Sequence, residues 1–307
     1  MAKVLVTGGA GFIGSHIVDG YLVEGHNVVV IDNLSSGKKE NIHKKTKFYC
    51  LDITDKAKLK NIFEAEHFDI VNHHAAQIDV RKSVSDPLFD AHTNIIGLLN
   101  LLQNSVAHRV KRFIFASSGG VIYGDDAVLP IQEHAKKNPL SPYGISKLTS
   151  EYYLNFYHTV YGLSFTILRY SNVYGPRKNP HGEAGVISIF SRLMLQGKKP
   201  TIFGDGAQTR DYVYVKDIVY ANLLALEKGD NEAFNIGTGK ERNVNELFEI
   251  IKRIVGYKGK VKYEKARAGE LLRNCLDITK ANKKLGWKPR HSLEQGLKET
   301  IDWMRKL

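Results

Sequence analysis

The stretch TGGAGFIG, residues 7–14, decides how this sequence folds. It follows the apolar run VLV at 4–6 and opens a helical pattern that carries Ile17, Val18, Tyr21 and Leu22 on one side. The spacing predicts a helix starting near Ser15 and stopping at Gly25, where a left-handed cap favours glycine. Gly8, Gly11 and Gly14 let the backbone turn tightly and approach a pyrophosphate. The charge of that group is met by free N–H groups at the positive end of the helix. Asp32 ends the next apolar run, VVVID at 28–32, eighteen residues after Gly14. A carboxylate there accepts hydrogen bonds from both hydroxyls of an adenosine ribose and repels a 2′-phosphate, so the pattern predicts NAD rather than NADP. Lys38 and Lys39 form either a solvated turn or a contact to a phosphate.

Outward from this unit, β-rich runs recur at 48–53, 68–75, 112–118, 164–170 and 232–238, with helical patterns between them. Strands alternating with helices predict an α/β fold, a doubly wound parallel sheet of the Rossmann type with about seven strands, joined to a smaller α/β lobe that binds substrate. The expected division is 1–171 plus 212–238 for the nucleotide-binding part and 172–211 plus 239–307 for the second. Two late helices are expected. One carries Val244, Leu247, Phe248 and Ile251; the other opens on a Ser292/Gln295 capping box and carries Leu293, Leu297 and Ile301. No internal repeat or low-complexity linker separates the parts.

The 307 residues are 43% hydrophobic and 25% charged, which excludes a disordered or fibrous chain. With 44 basic and 32 acidic residues the net charge is +12, pointing to anionic ligands. The basic residues are scattered and no RNA-binding aromatic string appears, so no nucleic-acid partner is expected. Cys50 and Cys275 stand far apart, leaving no CxxC and no disulfide framework. No apolar run approaches the ~18 residues of a membrane span, and no cleavable leader is recognised after MAK, so neither a membrane partner nor export is expected, and the cytoplasm is.

The chemistry is read from SPYGISK at 141–147. Tyr143 and Lys147, four residues apart on a helix, share one face. An ammonium beside a phenol favours the phenolate and makes Tyr143 a usable general base. Ser117 and Ser118 end the fifth strand, at the carboxyl edge where such sheets bind ligands. The pair His73-His74 has no third ligand at suitable spacing, so no metal is expected; both read as strand-end residues beneath the nicotinamide.

Taken together, TGGAGFIG, DNLSSG from Asp32, Asp52-Ile53, HHAAQ from His73, SSGGVIYG from Ser117, YGISK, RYSNVYGPR from Arg169 and RDYVYV from Arg210 resemble the extended short-chain dehydrogenase/reductases, and within them the UDP-glucose 4-epimerase-like enzymes. The resemblance covers nearly the whole chain. It implies NAD contacts from Phe12 and Ile13 at the pyrophosphate, Asn33, Leu34, Ser35, Ser36 and Gly37 beside Asp32, and Asp52 and Ile53 at the adenine. His74, Ala75, Ala76, Gln77, Thr93, Asn94, Tyr143, Lys147 and Tyr170 are implied for the rest of the dinucleotide. For the UDP-sugar it implies Ser118, Tyr143, Asn172, Val186, Thr201, Phe203, Arg210, Arg267, Glu270 and Asn274. The implied reaction is C4 epimerisation through a 4-keto sugar, with Tyr143 as base, Lys147 as electrostatic support and Ser118, in preference to Ser117, sharing the proton.

Some positions depart from the pattern. Relatives that dehydrate or decarboxylate their sugars usually carry an acid just after the catalytic Ser or Thr; here stand Gly119 and Gly120, which favours epimerisation. The SSGGVIYG stretch is one residue longer than the common form, and Glu270 replaces an Asp. At Asn274, where a Tyr in similar enzymes is associated with rejecting an N-acetyl group, the small amide is expected to admit it and to hydrogen-bond its oxygen. The rival readings are another nucleotide-sugar enzyme of this superfamily (4,6-dehydratase, decarboxylase or uronate epimerase) and a non-catalytic dinucleotide sensor. Apolar stripes at Leu98, Leu99 and Leu102 and at Tyr152, Tyr153 and Phe156 are expected to pair two copies into a homodimer.

Overall fold

Val4 and Val6 point to one side of their strand and Leu5 to the other, and the same alternation runs through the neighbouring strands, so each strand feeds two cores. The computed structural model describes residues 1–178, 185–266 and 271–307. In it, β1 (Lys3–Thr7), β2 (Asn27–Asp32), β3 (Lys47–Cys50), β4 (Ile70–His73), β5 (Arg112–Ser118), β6 (Ser164–Tyr170) and β7 (Glu232–Ile236) form one sheet in the order β7-β6-β5-β4-β1-β2-β3. Every pairing is parallel. The order reverses between β1 and β4, which opens a crevice at their carboxyl ends. Register places Thr7 beside His73 and Ser118 beside Tyr170 at that edge.

The third and fourth strands are shorter than the sequence suggests. Pairing stops at Cys50 and His73 because Leu51 to Ile53 and His74 to Ala76 leave the sheet to line the crevice. Helix α1 (Phe12–Val23) starts three residues before Ser15, with Gly11 as its N-cap; Ser15 lies within the first turn and donates its hydroxyl to Phe12 O at 3.1 Å. Its end is as expected. Gly25 has φ +80°, and His26 N–H donates back to Tyr21 O at 3.0 Å.

On one face, α1 and α2 (Val215–Ala225) bury Ile17, Val18, Ile218 and Ala221 against Val4, Val28 and Ile114. On the other face Leu59 and Phe63, α3 (Gly97–Ala107) and α4 (Pro142–Tyr161) cover Leu5, Val71, Phe113 and Phe165. The late helices α5 (Val244–Val255) and α6 (Leu293–Met304) extend the first of these cores. Val244, Leu247, Phe248 and Ile251 are buried, each contributing about 1.5–3 kcal/mol of transfer free energy. The capping box forms: Gln295 N–H donates to Ser292 Oγ at 3.2 Å and Ser292 N–H to Gln295 Oε1 at 2.8 Å.

The α3 stripe is corrected. Leu98 and Leu102 are fully buried against the sheet, because with Leu101 they are the inward side of a 3.6-residue period; Leu99, a third of a turn round, is half-buried. Tyr152 and Phe156 of α4 are exposed, Tyr153 is half-buried, and Ile96, Leu88 and Phe89 are further exposed apolar residues.

Candidate active site

The glycines of the first turn are there for space. A Cβ on Gly14 would lie 2.2 Å from Gly8 O, and one on Gly8, whose φ is +72°, 2.6 Å from Ala75 N. No side chain caps α1, so its first N–H groups face the crevice for a ligand. Asp32 stands across from this turn, accepting from Ala10 N–H at 3.0 Å and Leu34 N–H at 2.8 Å. Burial pushes its carboxyl up, and these two bonds oppose the shift.

One cleft gathers Gly8, Gly11, Phe12, Ile13, Gly14, Asp32, Asn33, Ser35, Ser36, Asp52, Ile53, His74, Ala75, Ala76, Thr93, Ser117, Tyr143, Lys147 and Tyr170. Ile31, Leu51, Ile78 and Ala116 also line it; each adjoins or lies close to a strand end, the one signal in the sequence that could have found them. Four residues implied for the cofactor do not line this cleft, Leu34, Gly37, Gln77 and Asn94, and neither does Ser118, implied for the sugar. Leu34 serves through its backbone to Asp32, and Gly37 closes behind that carboxylate, where a Cβ would come within 3.0 Å of Asp32 Oδ1. Gln77 and Asn94 are buried against each other, Gln77 N–H donating to Asn94 Oδ1 at 2.9 Å. His73 also lies outside it. Its Nδ1 is 2.7 Å from Thr7 Oγ1 and its ring meets Phe113 and Phe115, whereas His74 faces the cleft and reaches the Tyr170 hydroxyl at 3.0 Å. Among the described residues, no three His, Cys, Asp or Glu side chains gather as a metal site.

Helix α4 delivers the acid–base pair. Ser141 caps it by accepting from Gly144 N–H at 3.1 Å, and Pro142 occupies its first turn. Lys147 is buried one turn beyond Tyr143, its Nζ 5.8 Å from the phenol ring centroid and donating to Ala116 O at 2.8 Å. Burial pulls this ammonium down to about 8, against the opposing pull of Asp90 and Glu151. Burial, then the charge of Lys147, takes His74 down to about 3 and His73 well below its usual range, so both are neutral. Ser117 donates to Glu151 Oε1 at 2.6 Å, which commits its hydroxyl. Ser118, half-buried at the strand end, stands next to it. A Cβ at Gly119 would come within 2.5 Å of Leu276 Cδ1, so a side chain there would have to displace that buried leucine.

A second cleft contains Asn172, Val186, Thr201, Phe203 and Arg210, with Arg81 and Lys178 adding positive charge. The Lys178 ammonium lies 5.6 Å from the centroid of Phe12, whose ring belongs to the first cleft. Asp211 fastens the strand of Arg210, accepting from Thr238 N–H at 2.7 Å and Leu276 N–H at 3.4 Å. Arg267 and Glu270 lie outside the described residues. Asn274 is fully buried and lines neither cleft. Its Nδ2 donates to Gly119 O at 3.3 Å and its enclosed Oδ1 has no partner, so the amide donor that the sequence offers to an acetamido oxygen is spent on the main chain.

The profile of the NAD dependent epimerase/dehydratase family matches residues 4–237. A UDP-glucose 4-epimerase from Thermotoga maritima, solved with UDP-glucose, is 53% identical and superposes with a TM-score of 0.98 over 99% of each chain. A Thermus thermophilus UDP-glucose 4-epimerase solved with NAD is 41% identical, with a TM-score of 0.93 over 99% of each chain. The UDP-glucose 4-epimerase of Mycolicibacterium smegmatis is 42% identical over 99% of this chain and 98% of its own.

Proposed function

The chain belongs to the NAD dependent epimerase/dehydratase family, and from that premise we propose that it interconverts the C4 epimers of a UDP-hexose, UDP-glucose and UDP-galactose, through a 4-keto sugar. The observation that carries the reading is the buried Tyr143–Lys147 pair in a dinucleotide cleft, with glycine and no acid at 119 and 120. That pair equally disfavours a non-catalytic sensor, and the missing acid disfavours dehydration and decarboxylation.

The residues fit NAD. The Gly8–Gly14 turn and the uncapped start of α1 suit its pyrophosphate, and the Asp32 carboxylate suits its ribose. When bound, NAD supplies the acceptor and the donor of the hydride at the sugar C4. Tyr143 takes the C4 hydroxyl proton and later returns it; Ser118 shares that proton, and Lys147 holds positive charge beside the phenol. Arg210 grips the diphosphate while the keto sugar turns over about its phosphate link. The two free cysteines accord with a cytoplasmic enzyme. We assign Tyr152 and Phe156 to a self-association face, so the 34.5 kDa chain should sediment as a dimer at micromolar concentration; a monomer alone refutes this.

Asn274 bears on the width of the sugar site from behind: it is fully buried, its Nδ2 holds Gly119 O just past the end of β5, and its small side chain leaves room there for a 2-acetamido group. The wild type should therefore accept UDP-N-acetylgalactosamine as well as UDP-galactose. Asn274→Tyr should lower kcat/KM for the acetylated sugar relative to the other by roughly 10–200-fold, the range of a steric sieve. An unchanged ratio removes Asn274 from this role.

A further inference from the structure

Asp90 is a carboxylate fully buried in the short helix Pro87–Ala91, and no Lys or Arg bonds to it among the interactions of the described residues. Three neutral donors hold it. Gln77 Nε2 reaches Oδ1 at 2.9 Å, Asn94 Nδ2 reaches the same oxygen at 3.1 Å, and Ser146 Oγ reaches Oδ2 at 2.7 Å. Gln77 belongs to the segment that leaves β4 through the cofactor cleft, Asn94 follows cleft residue Thr93, and Ser146 precedes Lys147. A buried charge without a bonded cation is costly unless another charge lies close by.

The charged and titratable groups around Lys147 identify that partner. From its own helix come Tyr143 and Glu151, from the end of β4 the neutral His73 and His74, from β6 Tyr170 and, behind Glu151, Arg169, and from the short helix Asp90. Glu151 is taken by Arg169, which donates to both its oxygens at 3.0 and 2.6 Å. Of the two carboxylates that act on Lys147, Asp90 is therefore the one with no bonded cation of its own.

We propose that Asp90 is a positioning residue of the epimerisation: it ties the cofactor segment to α4 and is the counter-charge that keeps Lys147 cationic beside Tyr143. The assignment rests on reading Tyr143 and Lys147 as the acid–base machinery. It gives Gln77 and Asn94 a role, as donors that hold this carboxylate in place, beside the cofactor contacts the resemblance implied.

Asp90→Asn isolates the charge. Its amide oxygen can keep Gln77 and Asn94, and its nitrogen can donate to Ser146 Oγ, since a hydroxyl accepts as well as donates. With the charge gone, Lys147 gives up its proton more readily. The alkaline limb of the kcat profile should move to lower pH by roughly one unit, the low end of what an opposite charge at close range contributes. The rate at pH 8 should fall on the order of tenfold, a part of the ~10²–10⁴ that acid–base catalysis supplies. An alkaline limb at the wild-type position overturns the proposal, whatever kcat does. Should this variant fail to fold, Ser146→Ala decides. It cuts the bond that holds Asp90 against α4, so the counter-charge sits less closely by Lys147 and the alkaline limb should move to lower pH by a smaller step; an alkaline limb at the wild-type position overturns the proposal. Lys147→Met, run alongside, separates the two readings. If it keeps the wild-type alkaline limb, the role of Lys147 fails; if it loses that limb while Asp90→Asn keeps it, the role of Asp90 alone fails.

Discussion

Tyr143→Phe is expected to lower kcat by about 10²–10⁴-fold, the range of a lost general acid–base, while NAD and the UDP-sugar still bind. The substitution keeps the ring and its packing and deletes one oxygen. The groups beside it are poor substitutes: His74 is neutral and held well below the working range, Ser117 is committed to Glu151, and Lys147 is bonded to Ala116 O. Steady-state rates paired with cofactor and substrate titrations check this. A variant within a few-fold of wild type removes Tyr143 from the mechanism.

Removing the carboxylate of Glu151 should have the largest effect on stability. It joins α4 to β6 through Arg169 and to β5 through Ser117, and both charged side chains are buried. Glu151→Ala strands the guanidinium, a loss of about 3–5 kcal/mol when a buried pair is broken. Arg169 also donates to the Tyr123 hydroxyl at 2.8 Å and Glu133 O at 2.9 Å, and these bonds cannot neutralise it. Replacing both partners by Met removes the stranded charge, and much of the stability should return, because an apolar pair of similar volume is often nearly neutral. Denaturant unfolding of the three proteins measures it. A single variant as stable as wild type, or a double variant no better than the single, contradicts the account.

What the sequence revealed follows from how local its signals are. Strand alternation, the Gly25 stop and the Ser292/Gln295 cap are set by residues a few positions apart, and each is formed as read. Ser117 lines the cleft yet is bonded to Glu151, thirty-four residues away, and no spacing rule reports that bond. The resemblance implies Gln77 and Asn94 as cofactor contacts, but the bonds that tie both of them to Asp90 are not written in any local spacing. Leu98 and Leu102 are expected in a dimer stripe but prove to be core, and only the position of the sheet reveals it. At Asn274 the amide itself was legible. Which of its atoms is spent depends on Gly119 O, from a strand end 155 residues earlier in the chain.

The central claim is tested most directly with UDP-glucose carrying deuterium at C4. The chain loaded with NAD should convert it to UDP-galactose, with the deuterium still at C4 and no net NADH at equilibrium, since the hydride that leaves C4 returns to C4. Loss of the label to water, or accumulation of NADH or of a 4-keto product with no UDP-galactose, would contradict it.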